Sequence, residues 1–383
     1  MAGKRSIFEE VGSGVPPPPP QGGMIARGPR GARGALRLWL GLLFALLVAM
    51  IALGGLTRLT DSGLSITEWQ PLSGALPPMN EAAWAREFSA YQQSPEFRLQ
   101  NSTMTLQGFK RIFWWEWSHR QLGRLIGLVW AAGFVGFWAA GRIPPGWKLR
   151  LLAPGLLGGA QGAIGWWMVA SGLGGNAVDV ASYRLALHLG LAFAILGLIA
   201  AQILALGRSE ADLMVARRSG NAALARAAGG LIGLGFVQVL LGALVAGIDA
   251  GRGFPTWPLM NGNFFPADAF AVAEGAAAWR AFLENPGLVQ FMHRIAGYLL
   301  LVAALLAWWR ARASAHAATR RAFAAVALAG LAQATLGIFT ALYAAPLALA
   351  LAHQLGAVAL WVLMLRARAL ALAPVTQTIR GTR

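Results

Sequence analysis

Four of the five histidines in this chain, His119, His188, His293 and His353, sit near the start of long apolar runs. An imidazole inside such a run is costly unless something engages its nitrogens. A single one can be satisfied by a hydrogen bond to a neighbouring helix. Four of them, in a pattern that recurs, point to ligands: His119-Arg120 is followed by Gly123, and His293-Arg294 by Gly297. Two neutral imidazoles on facing helices at one depth can occupy both axial positions of a haem iron. The chain offers two such pairs, His119 with His188 and His293 with His353. Zinc suits the pattern less well, because the clustered ligands of a tetrahedral site are missing.

The residues around the histidines add to this reading. Gly123 and Gly297 lie one helical turn after their histidines, where a missing side chain leaves room for a flat macrocycle or for close helix packing. Arg120 and Arg294 have the guanidinium forks that suit haem propionates, and lipid headgroups are the competing destination. Glu116 stands three residues before His119, on the same helical face, whereas Gln290 holds the equivalent place before His293. A carboxyl beside one site and an amide beside the other suggest chemistry at the first, and electron handling or structural support at the second. His316 falls among arginines in a polar loop and reads as solvated.

These side chains have to be carried by membrane helices. The chain is 57% hydrophobic and 12% charged over 383 residues, too apolar for a soluble domain. Eight apolar runs are long enough to span a bilayer: about 36–57, 118–140, 151–171, 184–206, 227–248, 289–309, 322–343 and 348–367. The formal charge of +17 would suit a nucleic-acid partner, but its distribution argues against one. With the N-terminus inside, the basic residues concentrate in the cytoplasmic segments: Arg27 to Arg37, Arg142 to Arg150, Arg208 to Arg226, Arg310 to Arg321, and Arg366 onward. This is the positive-inside bias, with both termini in the cytoplasm. All four histidines then lie near the outer surface of the bilayer. No cysteine is present, which excludes disulfides, thiolate metal sites and cysteine-held iron–sulfur clusters. Residues 1–35, with Pro16 to Pro20, read as a disordered Pro-rich cytoplasmic extension rather than a cleavable signal.

The fold class expected is an all-α membrane protein of eight helices, arranged as two parallel, duplicated four-helix bundles. The halves are 36–206 and 227–367, joined by a linker at 207–226 and followed by a tail at 368–383. Their outer loops match: Thr60-Asp61-Ser62-Gly63 leads to Trp69, and Ile248-Asp249-Ala250-Gly251 leads to Trp257, with eight residues from Asp to Trp in both. The third helices match at Gln161-x-x-x-Gly165 and Gln333-x-x-x-Gly337. Agreement at several levels marks an internal duplication.

The stretch Gly54-Gly55-Leu56-Thr57-Arg58-Leu59-Thr60-Asp61-Ser62-Gly63-Leu64-Ser65 with Trp69 resembles the first outer loop of haem A synthases. Glu116-Trp117-Ser118-His119-Arg120 is similar to a later signature of that family. So are Ala246 to Gly251 with Thr256 to Gly262, Phe291-Met292-His293-Arg294 and Ala352-His353-Gln354. The likeness covers about residues 35–370 and is closest to the cysteine-free branch of proteobacteria and mitochondria. It implies an oxidoreductase that turns the C8 methyl group of haem O into the formyl group of haem A, for cytochrome c oxidase biogenesis. It further implies a resident haem b on His293 and His353, substrate haem O on His119 and His188, and Glu116 near the reacting carbon. The implied partners are haem O, membrane lipid, a haem O synthase, oxidase assembly factors and an electron acceptor the sequence does not name. Homo-oligomerisation stays open.

Two other classes compete, a di-haem membrane electron carrier and a haem transfer or assembly protein. Haems stacked across the membrane need histidines at both depths, and here all four lie at one. A carrier that leaves haem unchanged gives no reason for Glu116 against Gln290.

Overall fold

The computed structural model describes residues 30–68, 70, 73–173 and 178–375. Most of the Pro-rich extension, Trp69 and the last residues of the tail lie outside the described residues. The described chain is helical, with one isolated bridge between Met260 and Asn263 as its only β pairing.

In chain order the helices are α1 (Arg30–Leu59), α2 (Glu81–Gln92), α3 (Pro95–Leu99), α4 (Leu106–Ala139), α5 (Lys148–Gly172), α6 (Ser182–Leu206) and α7 (Glu210–Arg217). Then follow α8 (Ala222–Gly247), α9 (Ala250–Gly253), α10 (Ala281–Glu284), α11 (Pro286–Ala311), α12 (Ala317–Leu342) and α13 (Leu347–Leu372). Among the described residues, seven are long and apolar enough to cross a membrane: α1, α4, α6, α8, α11, α12 and α13. The protein is a multi-pass membrane protein. The remaining expected span, 151–171, falls inside α5. That helix is long enough, but Gly155, Gly158, Gly159, Gly162, Gln161, Trp166 and Trp167 dilute its apolar run, so it is not among the seven.

Helix α4 departs most from the sequence reading. It begins at Leu106, about three turns before the apolar run that starts near 118, so His119 lies well inside a helix. The added turns carry Phe109 and Phe113, which are buried against Trp84 and Tyr91 of α2. The Trp84 and Phe113 rings meet edge-on at 4.9 Å. Side-chain caps end these elements: Asn80 accepts from the Ala83 amide, Ser94 from Phe97 and Thr105 from Gly108. The first outer loop thus folds into a small helical cap over α4.

The long helices pack in a repeating order. In the first set α1 contacts α4 and α6, and α5 contacts α4 and α6; in the second α8 contacts α11 and α13, and α12 contacts α11 and α13. The sets join reciprocally, α6 against α8 and α13 against α1. Trp361 of α13 sits at the joint, its ring 6.1 Å from both Phe193 of α6 and Phe236 of α8. Gly197 and Gly235 leave the space for Trp361 and for Met364. Within lipid, close van der Waals fit of this kind, rather than removal of apolar surface from water, holds helices together.

Candidate functional site

Each of the four histidines rests in a notch made by a glycine on the helix before its own long helix. A Cβ at Gly54 of α1 would stand 3.0 Å from Cε1 of His119, and one at Gly165 of α5 would stand 3.0 Å from Cε1 of His188. Gly242 of α8 faces His293 at 3.1 Å, and Gly337 of α12 faces His353 at 2.8 Å. Side chains at these positions would push the imidazoles out of place. All four notches lie within two turns of the C-terminal ends of their helices, so the histidines share one level of the bundle.

One turn before the notch, three of these helices carry a glutamine. Gln161 donates to the His188 carbonyl at 2.9 Å, Gln238 to the His293 carbonyl at 3.0 Å, and Gln333 to the His353 carbonyl at 2.7 Å. In the second set the amides also reach the rings. Gln238 Nε2 is 3.2 Å from His293 Nδ1, and Gln333 Nε2 is 3.2 Å from His353 Nδ1. In the first set no amide reaches a ring, and Nδ1 of both His119 and His188 is buried without a hydrogen-bond partner among the described residues. On α1 the glutamine position is occupied by Met50.

The sequence showed two of these Gln-x-x-x-Gly patterns, but only as marks of repetition. Gln238-x-x-x-Gly242 and Met50-x-x-x-Gly54 went unread, although the same spacing before a loop was there to find. Gly123 and Gly297 open onto side chains of the preceding long helix. They face Met50 and Gln238, whose tips would meet a Cβ there at 3.6 and 3.2 Å. They make room for the side chains that support, or fail to support, the histidines.

The two arginines bond the connecting loops. Arg120 donates to the Ile66 carbonyl at 3.1 Å and pairs with Glu116 Oε1 at 2.6 Å. Arg294 donates to the Phe254 carbonyl at 2.9 Å and to Gln290 Oε1 at 3.1 Å. Each fastens its outer loop over its histidine. Asp61 and Asp249, matched in the sequence, both take the left-handed backbone conformation, with φ of 48° and 52°. Arg58 pairs with both, at 2.7 and 2.9 Å, and so ties the two loops to each other.

Glu116 is buried, and both its oxygens are occupied. Oε1 accepts from Nη2 and Nε of Arg120, while Oε2 accepts from Ser65 Oγ at 2.7 Å and from the Ile66 amide at 2.8 Å. A carboxylate has about four lone-pair positions, and here all are filled. Gln290, its counterpart, is also buried but accepts only from Arg294. Beside Arg120 a cavity of about 290 Å³ opens between the cap and α4, bordered by Ile66, Trp117, Arg86 and Arg124.

The second pair is spaced for one bound metal. The His293 and His353 ring centres are 6.4 Å apart, with planes at 75°. Two imidazoles binding opposite sides of one metal through bonds of roughly 2 Å, each ring adding about 1 Å from nitrogen to centre, need just over 6 Å. The residues present therefore fit a bis-imidazole iron of the kind haem supplies. His316 caps no site and begins α12. Among the described residues no group of three or more His, Cys, Asp or Glu side chains could hold a bare metal ion.

The fold and these positions define a membrane protein with two matched histidine pairs under loop-stapled lids. A family model described as cytochrome oxidase assembly protein matches residues 37–365, and the chain belongs to that family. It is similar to the heme A synthase of a Cereibacter sphaeroides strain, with 62% identity over 383 residues and 98% of each chain covered. The heme A synthase of Paracoccus denitrificans is 61% identical over 380 residues, covering 99% of each chain. That of Ruegeria pomeroyi is 60% identical and covers 100% of both.

Proposed function

We propose that the chain is a haem A synthase that oxidises the C8 methyl group of haem O to a formyl group. His119 and His188 hold the substrate, and His293 and His353 hold a resident haem b. In this reading α5 is an eighth crossing, and both sites lie near the outer face of a bacterial inner membrane with both termini inside, in keeping with the basic residues of the inner segments. The halves are the products of a duplication.

The observation that carries this assignment is the unequal support of the histidines. Groups that hold the surroundings of a ligating histidine fix its orientation and strengthen its binding. Gln238 and Gln333 donate to the backbone carbonyls of both histidines of the second pair, as suits a permanent cofactor. In the first pair, among the described residues, only His188 has such a tie, through Gln161, as suits a molecule that arrives, reacts and leaves.

The haem b supplies redox chemistry when bound, and the protein supplies position and field. The first-half site receives haem O from the lipid side, where its farnesyl tail remains. Glu116 sits one turn from His119, and Arg120, Ser65 and the Ile66 amide fix its carboxyl in place. Held there, it stabilises positive charge developing on the substrate as electrons are removed. Water then adds with loss of a proton to give the alcohol; a second two-electron oxidation and a second water give a gem-diol, which loses water to form the aldehyde. Protons leave by the cavity beside Arg120. The electron acceptor is a separate partner, and haem O synthase and the oxidase assembly factors stand before and after the reaction.

The test is haem extraction from membranes of cells that lack their own activity. Haem A should accumulate only when this chain and haem O are both present. Haem O that is bound but returned unchanged would favour the transfer protein instead.

A further inference from the structure

Four helices present a glycine notch to a histidine, and three of them place a glutamine one turn earlier. The exception is α1, where Met50 fills that position and touches the space left by Gly123. Its counterpart Gln238 occupies the matching space beside Gly297 and reaches both the carbonyl and the ring of His293. A thioether donates no hydrogen bond and accepts only weakly. Among the described residues, His119 Nδ1 has no partner.

We propose that Met50 is a positioning residue that keeps His119 a weakly held, releasable ligand, so that substrate haem can enter and product haem can leave the first-half site. The inference rests on the assignment of His119 and His188 to the substrate. A methionine suits this position because it fills the volume of a glutamine and adapts its shape without anchoring the ring. The site stays packed while the ligand stays free to swing. Gln161, Gln238 and Gln333 each tie the backbone carbonyl of a histidine. Among the described residues His119 has no such tie, and it is the least supported of the four.

The experiment measures haem release from the full-length protein in lipid nanodiscs, loaded with haem O and mixed with excess apomyoglobin as scavenger. Haem O and haem b remaining on the protein are then extracted and counted over time. In Met50→Gln, haem O should leave about two- to tenfold more slowly, the range of one net hydrogen bond, with haem b release unchanged. Met50→Leu, which fills the space without a donor, should release haem O as the native chain does. The reverse exchange, Gln238→Met, should speed haem b loss by a similar factor. The proposal is overturned if Met50→Gln and Met50→Leu release haem O at the same rate, or if Met50→Gln changes haem b release instead. Haem O that remains bound in a His119→Ala protein would show that the site assignment itself is wrong, whatever Met50 does.

Discussion

The two halves of this molecule are built alike and supported differently. Both set a histidine against a glycine, both staple an outer loop with the arginine that follows, and both turn that loop at an aspartate in the left-handed conformation. Among the described residues, amide contacts to the rings appear only in the second half, and a filled, buried carboxylate only in the first. A repeated scaffold can keep its geometry while a few side chains differ. On the proposed function, the polar groups of one half steady a resident haem and those of the other face the reacting substrate.

The sharpest way to break this comparison is at Glu116. Glu116→Gln should cut haem A formation on the order of 10²-fold, the scale of losing one preorganised electrostatic group, while haem binding stays close to native by absorbance. Normal turnover in that variant would leave Glu116 as a loop fastener only. Next come the notches. Gly337→Ala should displace His353 and lower haem b occupancy about 10-fold or more, the scale of disturbing the shell around a metal ligand. The same change at Gly54 should lower haem O binding and spare haem b. Equal loss of both haems in either variant would mean that the sites are not independent.

A smaller effect concerns the cap over the first half. Glu96 is buried with Oε2 unpartnered, and burial pushes its carboxyl up to about 8, with Glu116 adding to the rise. The raised value means that the folded cap holds a proton that the unfolded chain releases above its ordinary carboxylate range. Cap stability is then greatest at low pH and falls as pH rises toward 8. Hydrogen exchange of residues 81–105 should show faster opening at pH 8 than at pH 6, and Glu96→Gln should flatten that dependence. The smallest effect belongs to Arg58, whose pairs with Asp61 and Asp249 are partly exposed. Arg58→Met should cost about 1 kcal/mol or less in thermal stability, and less still at high salt.

Much of this was legible in the sequence. The histidines stood out because imidazoles are rare in apolar runs, and their depth followed from hydropathy alone. The Glu116 and Gln290 difference was visible once the halves were aligned. The supporting residues were not, because their meaning depends on which helix packs against which. Gln238 reads as an isolated polar residue until α8 is seen lying against α11. The outward extension of α4 was hidden for a different reason. Its Phe109, Lys110, Arg111 and Phe113 mix charge with aromatic rings, so no hydropathy window includes them. The bonds of Arg120 and Arg294 to loop carbonyls were not legible, because a sequence does not show which loop folds above them.

The most direct measurement is the haem content of purified His119→Ala protein from cells that make haem O. The account predicts haem b at native stoichiometry, with haem O and haem A gone. Loss of haem b with haem O and haem A retained would contradict it, and would reverse the roles of the two halves.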